Sequence, residues 1–478
     1  MKQKTVIVVR KIVFSWNEMD EMYRVFARYF SLKKFVIFAL CLNFLACVPE
    51  WEKINTDPTA RLRFSSDTLF FDTLFVGFQS PTLRLKVYNP SAQSVVISSI
   101  SLSPQSPFRL TVNGSSSQSH SAIRLLGKDS LLVLVSVLPS QPDTLFRMLE
   151  ELVFLTNTNR QVVVLEGYGR LAKFLKDSIL CNQVWKKGLP YVIREDILID
   201  SLCTLKIEEG CQIYLSPGSD IFVKGSLQVL GSPQEPVVFG QLRQDPSYQN
   251  LPGQWNGITF LVGSKENLLQ WAILKNAVNG FYLGTPDDDS QDDLLVRYCE
   301  IFNMSRNGFQ AYNSDLTMEN CLIHNCIEGT ALMLIGGNYR LRQNTLANYG
   351  FSFFRNSPSF IASNFLPGGS LSAPLSLLLQ NNIIWGSLKE EILFLSQNGI
   401  AFELTAEHNL LRTELSDLAI NNNILNQSPR FANPNRFDYR LDTLSSAVNK
   451  GLTFPHLPID LKGKTRTNAF DLGAYERE

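Results

Sequence analysis

The chain has 478 residues, 45% hydrophobic and 18% charged, with as many acidic as basic side chains. That length accommodates two or three domains, the composition is too apolar for disorder, and zero formal charge leaves no footprint for nucleic acid. Abundant Phe with only four His fits a turn-rich all-β chain and leaves few candidates for a catalytic His or a His-based metal site.

The amino terminus reads as an address. Lys33-Lys34 precede the apolar run Phe35–Ala46, which is too short to span a membrane, a task that needs about 20 apolar residues. Basic residues, a short apolar core and a small residue before the break are the parts of a signal peptide. Phe44-Leu45-Ala46-Cys47 resembles a bacterial lipoprotein box, which implies that Cys47 is acylated and becomes the mature first residue. A start at Met22 gives a signal of ordinary length, so residues 1–21 read as an upstream start artefact and 1–47 as the whole address. Residues 48–60 then form a tether. Its Val48-Pro49-Glu50-Trp51-Glu52 resembles the acidic export signals of surface lipoproteins in Bacteroides-like bacteria. The implied location is the outer membrane, on its periplasmic or cell-surface side.

Residues 61–170 alternate in short runs: Thr68–Phe71, Leu83–Tyr88, Val95–Ser98, Phe108–Val112, Leu131–Val135, Leu152–Leu155 and Val162–Leu165. Runs of this length, separated by Asn89-Pro90, Asn113-Gly114 and Pro139, predict a β-sandwich. Leu85-Lys86-Val87-Tyr88-Asn89-Pro90, with Glu166-Gly167-Tyr168-Gly169 at the end, resembles immunoglobulin-like domains of the Hydin and major-sperm-protein kind, usually spacers or docking modules. No Cys lies between residues 48 and 180, so packing alone must hold this core. Residues 171–189 read as a linker, and Leu171–Leu180 is the one place after Cys47 where a short helix could form.

From residue 190 to 440 the pattern becomes a repeat. Gly225-Ser226-Leu227, Gly231-Ser232, Pro236-Val237-Val238-Phe239 and Trp255-Asn256-Gly257-Ile258 resemble the opening coils of bacterial right-handed parallel β-helices. Four units come next, anchored at Trp271, Tyr298, Asn320 and Asn344, with a recurrence of about 25 residues that is typical of a solenoid. Alternation sends Ala272/Leu274, Cys299/Ile301, Cys321/Ile323 and Thr345/Ala347 to one buried face, and Lys275, Phe302 and His324 outward. Asn276, Asn303, Asn325, Asn382 and Asn409 read as corner residues, because Asn tolerates the left-handed conformation and its amide can bond to the next coil. Cys299 and Cys321 stack as free thiols, since parallel stacking suits a disulfide poorly. The pairing of Cys181, Cys203 and Cys211 is open. Residues 441–478, with Ile459-Asp460-Leu461-Lys462-Gly463-Lys464 and Asp471-Leu472-Gly473-Ala474-Tyr475-Glu476, resemble the tail of secreted bacterial β-helix proteins. Capping the last coil's open edge is the expected role.

Galacturonan hydrolases of this fold use an Asp group with Gly-His-Gly and Arg-x-Lys; here no His is flanked by Gly on both sides. The dense acidic cluster is Asp287-Asp288-Asp289 with Asp292-Asp293, an insertion between coils. Oxygen-rich clusters suit calcium, although this one lacks the Gly and terminal Glu of an EF-hand loop and reads first as a solvated loop. No other cofactor is implied. Trp271 and Tyr298, equivalent on neighbouring coils, could form a sugar platform aided by Trp255; packing against another segment is the plainer reading. The candidate ligand-binding residues are therefore Trp255, Trp271, Tyr298, Asp288 and Asp292, with no catalytic residue named. The expectation is an all-β protein, an immunoglobulin-like β-sandwich followed by a right-handed parallel β-helix. It would be a non-catalytic envelope lipoprotein whose partners are the membrane through its lipid and a polysaccharide or another envelope protein. The alternative is a polysaccharide lyase or glycoside hydrolase with a divergent site.

Overall fold

An alternating stretch such as Leu83-Arg84-Leu85-Lys86-Val87-Tyr88 can bury one face only, and the computed structural model shows Leu85 and Val87 fully enclosed with Arg84 and Lys86 in solvent. It describes residues 53–477 apart from 142, 285–290, 351–353 and 468. The expected signal segment with Cys47, and Asp288, lie outside the described residues.

Residues 63–170 form two packed five-stranded sheets. One holds Leu83–Tyr88, Ser130–Val137 and Phe108–Val112; the other holds Thr68–Phe75, Asn159–Arg170, Leu145–Thr156, Val95–Ser101 and Ser119–Leu125. Leu85, Phe108, Val133, Phe154 and Leu165 fill the space between them. The strands Arg63–Phe64, Ser115–Ser116 and Ser119–Leu125 were not picked out from sequence: Leu62/Phe64 and Ile123/Leu125 give only two alternating apolar residues each, and Ser115–Ser116 none. The sandwich is compatible with the immunoglobulin-like expectation.

No linker separates the sandwich from the solenoid. Lys173–Leu175 pairs in parallel with Tyr191–Ile193, and Ser178–Leu180 with Ile197–Ile199, so residues 173–185 are the first coil and Leu171–Leu180 is not helical. Cys181 and Cys203 form a disulfide within these opening coils, while Cys211 is a buried free thiol. The junction is packed: the Phe75 and Tyr214 rings lie 5.3 Å apart, the Phe78 and Phe174 rings 5.0 Å apart, and the Arg194 guanidinium sits 4.7 Å from the centre of Phe78.

The solenoid is all parallel. One flank is an 11-stranded sheet; the other two flanks merge into a 16-stranded sheet because Asn307–Glu319 and Gly329–Arg342 run unbroken from one flank to the next. Equal register stacks like on like. Ile197, Ile221, Ile258, Phe281, Phe309, Ala331, Phe360 and Ile392 form one inward column, with the Phe281 and Phe309 rings 5.3 Å apart at 9°.

Two corners of the 11-stranded sheet explain the recurrent Cys and Asn. Before the strand, Trp271, Tyr298, Asn320, Gln343, Asn381 and His408 all take positive φ, between 50° and 60°. The next residue points inward, and its side chain accepts the N–H of the equivalent residue one coil earlier. Cys299 Sγ receives Ala272 N–H at 3.4 Å, Cys321 Sγ receives Cys299 N–H at 3.4 Å, and Asn344 Oδ1 receives Cys321 N–H at 2.9 Å. Asn382 Oδ1 and Asn409 Oδ1 continue the column. Thiol and amide share this column because both are compact acceptors for an N–H that the bend has removed from the ladder. After the strand a second ladder runs through Asn276, Asn303 and Asn325, each at positive φ, with Asn303 Nδ2 donating to Asn276 Oδ1 at 3.0 Å.

The structure corrects the equivalences expected among these coils. Asn382 and Asn409 belong to the first ladder, not to that of Asn276. The fourth unit is anchored at Gln343, so Asn344 and Leu346 face inward, while Thr345 and Ala347 face out. A one-residue slip inverts every side chain, and the slip was concealed because Asn344 matches the Asn320 anchor in residue type.

Residues 412–423 close the far end, inserting Leu418 into the core while Asn423 Nδ2 donates to Ala406 O. The carboxyl-terminal segment therefore does not cap the last coil. It runs back along the outer face of the 11-stranded sheet as a strap, burying Leu322, Ile383, Trp385 and Leu410 beneath Tyr439, Leu457, Leu472 and Tyr475.

Candidate functional site

The strap recognises the corner column residue by residue. His408 Nδ1 lies 2.8 Å from Lys450 O, Asn381 Nδ2 donates to Leu452 O at 2.7 Å, and Gln343 Nε2 donates to Gly473 O at 2.9 Å. Arg466 donates to Asn320 Oδ1 and, at 3.2 Å, to Glu476, with both charged side chains essentially enclosed. Gly473 sits at φ 84° where an added Cβ would strike Thr345 Oγ1, which accounts for a glycine at that point of the tail motif.

Trp271 and Tyr298 end this column. Their rings stack at 4.5 Å and 4°, but they are only 7% and 9% exposed under the strap and offer no platform. Trp255 is wholly buried, its Nε1 donating to Lys275 O at 2.9 Å. The three aromatics named from the sequence are thus packing residues, because a later segment covers the face on which two of them stand. Asp292 pairs with Arg340 at 2.8 Å, an ion pair that fastens the end of the acidic insertion to the stack. The insertion leaves at Gly284 and returns at Leu294, on another flank from Trp271 and Tyr298. The candidate residues do not converge. Among the described residues no group of three or more His, Cys, Asp or Glu is placed to hold a metal ion, and no helix is long and apolar enough to cross a membrane.

His324, expected in solvent, is fully buried. Its ring stacks on Phe302 at 5.0 Å and is closed in by Phe437 and Tyr439 from the strap, with Nε2 3.3 Å from Glu300 Oε1. Burial pushes the Glu300 carboxyl up, but the His324 hydrogen bond and charge, with Lys462 and Lys275, outweigh it and hold the group below its ordinary value. Glu319 is balanced in the same way. Burial raises it; His456 at 3.0 Å and Arg297 at 2.7 Å bring it below the ordinary carboxylate range, and Arg342 adds a third contact at 3.2 Å. A carboxylate held by three basic side chains is a structural tie, not an acid or base poised for chemistry. Neither glutamate was singled out from sequence: Arg297 and Arg342 stand in register with Glu319 on the neighbouring coils and His324 lies one coil from Glu300, but His456 and Lys462 arrive from the strap.

The opposite situation holds on the flank built from Ile197–Ile199, Asp220–Val223, Gly257–Phe260, Phe281–Leu283 and their successors. Its central outward column is Leu198, Phe222, Thr259, Tyr282, Gln310, Leu332, Ile361 and Leu393. Eight uncharged side chains rise one per strand over roughly 34 Å, all half-buried except Gln310, which is tucked beside the Tyr312 hydroxyl. Around the middle of the column the chemistry is mixed. The Tyr282 and Tyr312 rings meet at 5.4 Å and 48°, and Gln310 Nε2 donates to the Tyr312 hydroxyl. Two coils before Tyr282, Asp220 accepts Asn256 Nδ2 at 2.6 Å and Thr259 Oγ1 at 3.2 Å. Burial lifts the Asp220 carboxyl against those two bonds, and it also lifts the Tyr282 phenol. Alternation within Phe281-Tyr282-Leu283 would have marked Tyr282 as outward; only the assembled stack shows that it stays partly open where Tyr298 is enclosed.

Residues 197–346 match the family model for a right handed beta helix region. No curated protein matches the chain. Three solved structures resemble parts of it. The ASH/PapD-like domain of human CEP192 aligns at 14% identity over 26% of this chain and 94% of that one, with a TM-score of 0.17. The YadV chaperone aligns at 10% identity over 23% of this chain and 51% of that one, with a TM-score of 0.16. The catalytic unit of a thermostable GH87 alpha-1,3-glucanase from Streptomyces thermodiastaticus aligns at 12% identity over 70% of this chain and 85% of that one, with a TM-score of 0.20. Superpositions this loose carry no argument about activity.

Proposed function

We propose that the chain is an outer-membrane lipoprotein, acylated at Cys47, whose sandwich holds a non-catalytic β-helix away from the membrane to contact a glycan or a protein. The observation that carries this reading is the uncharged outward column from Leu198 to Leu393, half-buried except for the enclosed Gln310, since a long strip of partly open, mostly apolar side chains on a folded surface marks a contact site. The position of the tether's end supports the stalk. Ile54 bridges Ser94, and Asn157 Nδ2 donates to Asn55 O at 2.7 Å, at the turn between Leu145–Thr156 and Asn159–Arg170. The other ends of those strands meet the solenoid, so Ile54 and Asn55 lie at the end of the sandwich away from it. The Cys181–Cys203 disulfide suits an oxidising compartment outside the cytoplasm.

Two measurements test the reading. Metabolic acyl labelling should depend on Cys47; label that persists in Cys47→Ala removes the anchor. Soluble polysaccharides, with and without calcium, should be retained without being shortened. Product release that disappears in Asp292→Ala would instead establish an enzyme.

A further inference from the structure

Within that reading, on which this inference rests, we infer that the ligand is an uncharged polysaccharide chain, gripped on the open flank around Tyr282, Tyr312, Gln310, Thr259 and Asp220. Sugars present flat C–H faces edged by hydroxyls, and sites that recognise them join apolar ring surface to a few placed donors and acceptors. This surface has both. The Tyr282 and Tyr312 rings are half-buried and neighbours on successive coils, and each carries a phenolic hydroxyl at its tip. Gln310, in register with Tyr282, fixes the Tyr312 hydroxyl by donating to it. Thr259 and Asp220 extend the polar edge toward the sandwich, with Asn256 holding the carboxylate in place.

Charge selects among glycans. The central column contains no Lys or Arg from Leu198 to Leu393, and beside its first two members Asp196, Asp200 and Asp220 outnumber the one cation, Lys224. A polyuronate would bring carboxylates against Asp220 with no cation in the column to receive them, so like-charge repulsion disfavours it. A neutral chain meets no such barrier. Parallel strands repeat the surface every ~4.8 Å along the solenoid, and a polymer lying along the axis meets a fresh outward side chain at each coil. A protein partner is the competing occupant. Protein hot spots draw on Trp, Tyr and Arg; the middle of this column has no Trp or Arg and sets its tyrosine between Thr259 and Gln310.

Affinity electrophoresis of the full-length chain in gels carrying laminarin, xyloglucan or galactomannan, compared with polygalacturonate and alginate, tests this directly. At least one neutral polymer should retard the protein and neither polyanion should. Tyr282→Ala should weaken retardation about tenfold, and Tyr282→Phe, which keeps the ring, should stay within about twofold of the parent. Leu444→Ala, at a 70% exposed position on the strap side, should change nothing. Gln310→Ala serves as the second variant if Tyr282→Ala melts early. Retention by the polyanions, or retention by a neutral glycan that Tyr282→Ala and Gln310→Ala leave unchanged, overturns this site while the broader glycan-binding reading stands. Retention by none of the five polymers overturns both, and leaves a protein as the occupant of the column.

Discussion

Two flanks of one solenoid have met opposite fates. On the 11-stranded sheet, the outward side chains Leu322, His324, Ala347, Ile383 and Leu410 are fully buried, because the chain beyond Arg436 lies over them. On the neighbouring flank the outward column from Leu198 to Leu393 is left half-open. Both columns face away from the same core and both are rich in uncharged side chains. Outward direction alone therefore does not distinguish a binding surface from an internal seam; the chain that comes later does. The strapped flank also holds the residues most conspicuous in the sequence, Trp271, Tyr298 and His324, and their conspicuousness belongs to packing.

Removing the strap should produce the largest change. A chain ending at Arg436 would expose Trp271, Leu322, Ile383, Trp385 and Leu410, with aliphatic side chains such as the leucines each worth about 1.5–3 kcal/mol when fully buried. We expect a melting temperature lower by more than about 10 °C, with binding of an apolar dye at ambient temperature; an unchanged melt would mean the strap adds no stability. Arg466→Ala is the single-residue version. It strands Glu476 and removes the donor to Asn320, and breaking such an enclosed pair costs about 3–5 kcal/mol. Trp fluorescence should shift to the red as Trp271 loses cover, and denaturant unfolding should give the loss.

Acid should loosen the same seam and spare the open flank. Glu300 and Glu319 both titrate below their ordinary value of 4.5 in the folded chain. The stability they contribute is complete above that value and is lost as pH falls through their lower folded values. The urea midpoint should therefore decline below pH 4.5. Glu319→Gln should lower the plateau near neutrality and flatten the decline; a decline of unchanged steepness would exclude Glu319 as its source. Asn303→Ala, which interrupts the amide ladder between Asn276 and Asn325, should cost about 1–3 kcal/mol, readable in the same unfolding experiment. The smallest effect belongs to the open flank: Tyr282→Ala should alter stability by no more than about 1 kcal/mol. A larger loss would make Tyr282 a packing residue and erase the contrast between the flanks.

The order of domains and the solenoid itself are written in local pattern. Alternating runs such as Phe108–Val112 specify strands by their period of two, and recurring Ala272, Cys299 and Cys321 specify parallel stacking by their similar spacing. Such signals involve neighbours in sequence or one coil away, so a single chain suffices to read them. What failed were relations between distant segments. The slip at Gln343/Asn344 arose because two adjacent polar residues both fit the anchor, and only hydrogen bonding to Cys321 and Asn382 decides between them. The burial of Trp271, Tyr298 and His324 was decided by residues more than a hundred positions later. The sequence by itself determined that coils form and, outside the slipped fourth unit, which side chains face inward, since alternation and repeat are local properties of the chain. Which outward face is sealed and which stays partly open was settled only in the tertiary structure, because it depends on where the strap, Arg466 and Gly473 come to lie.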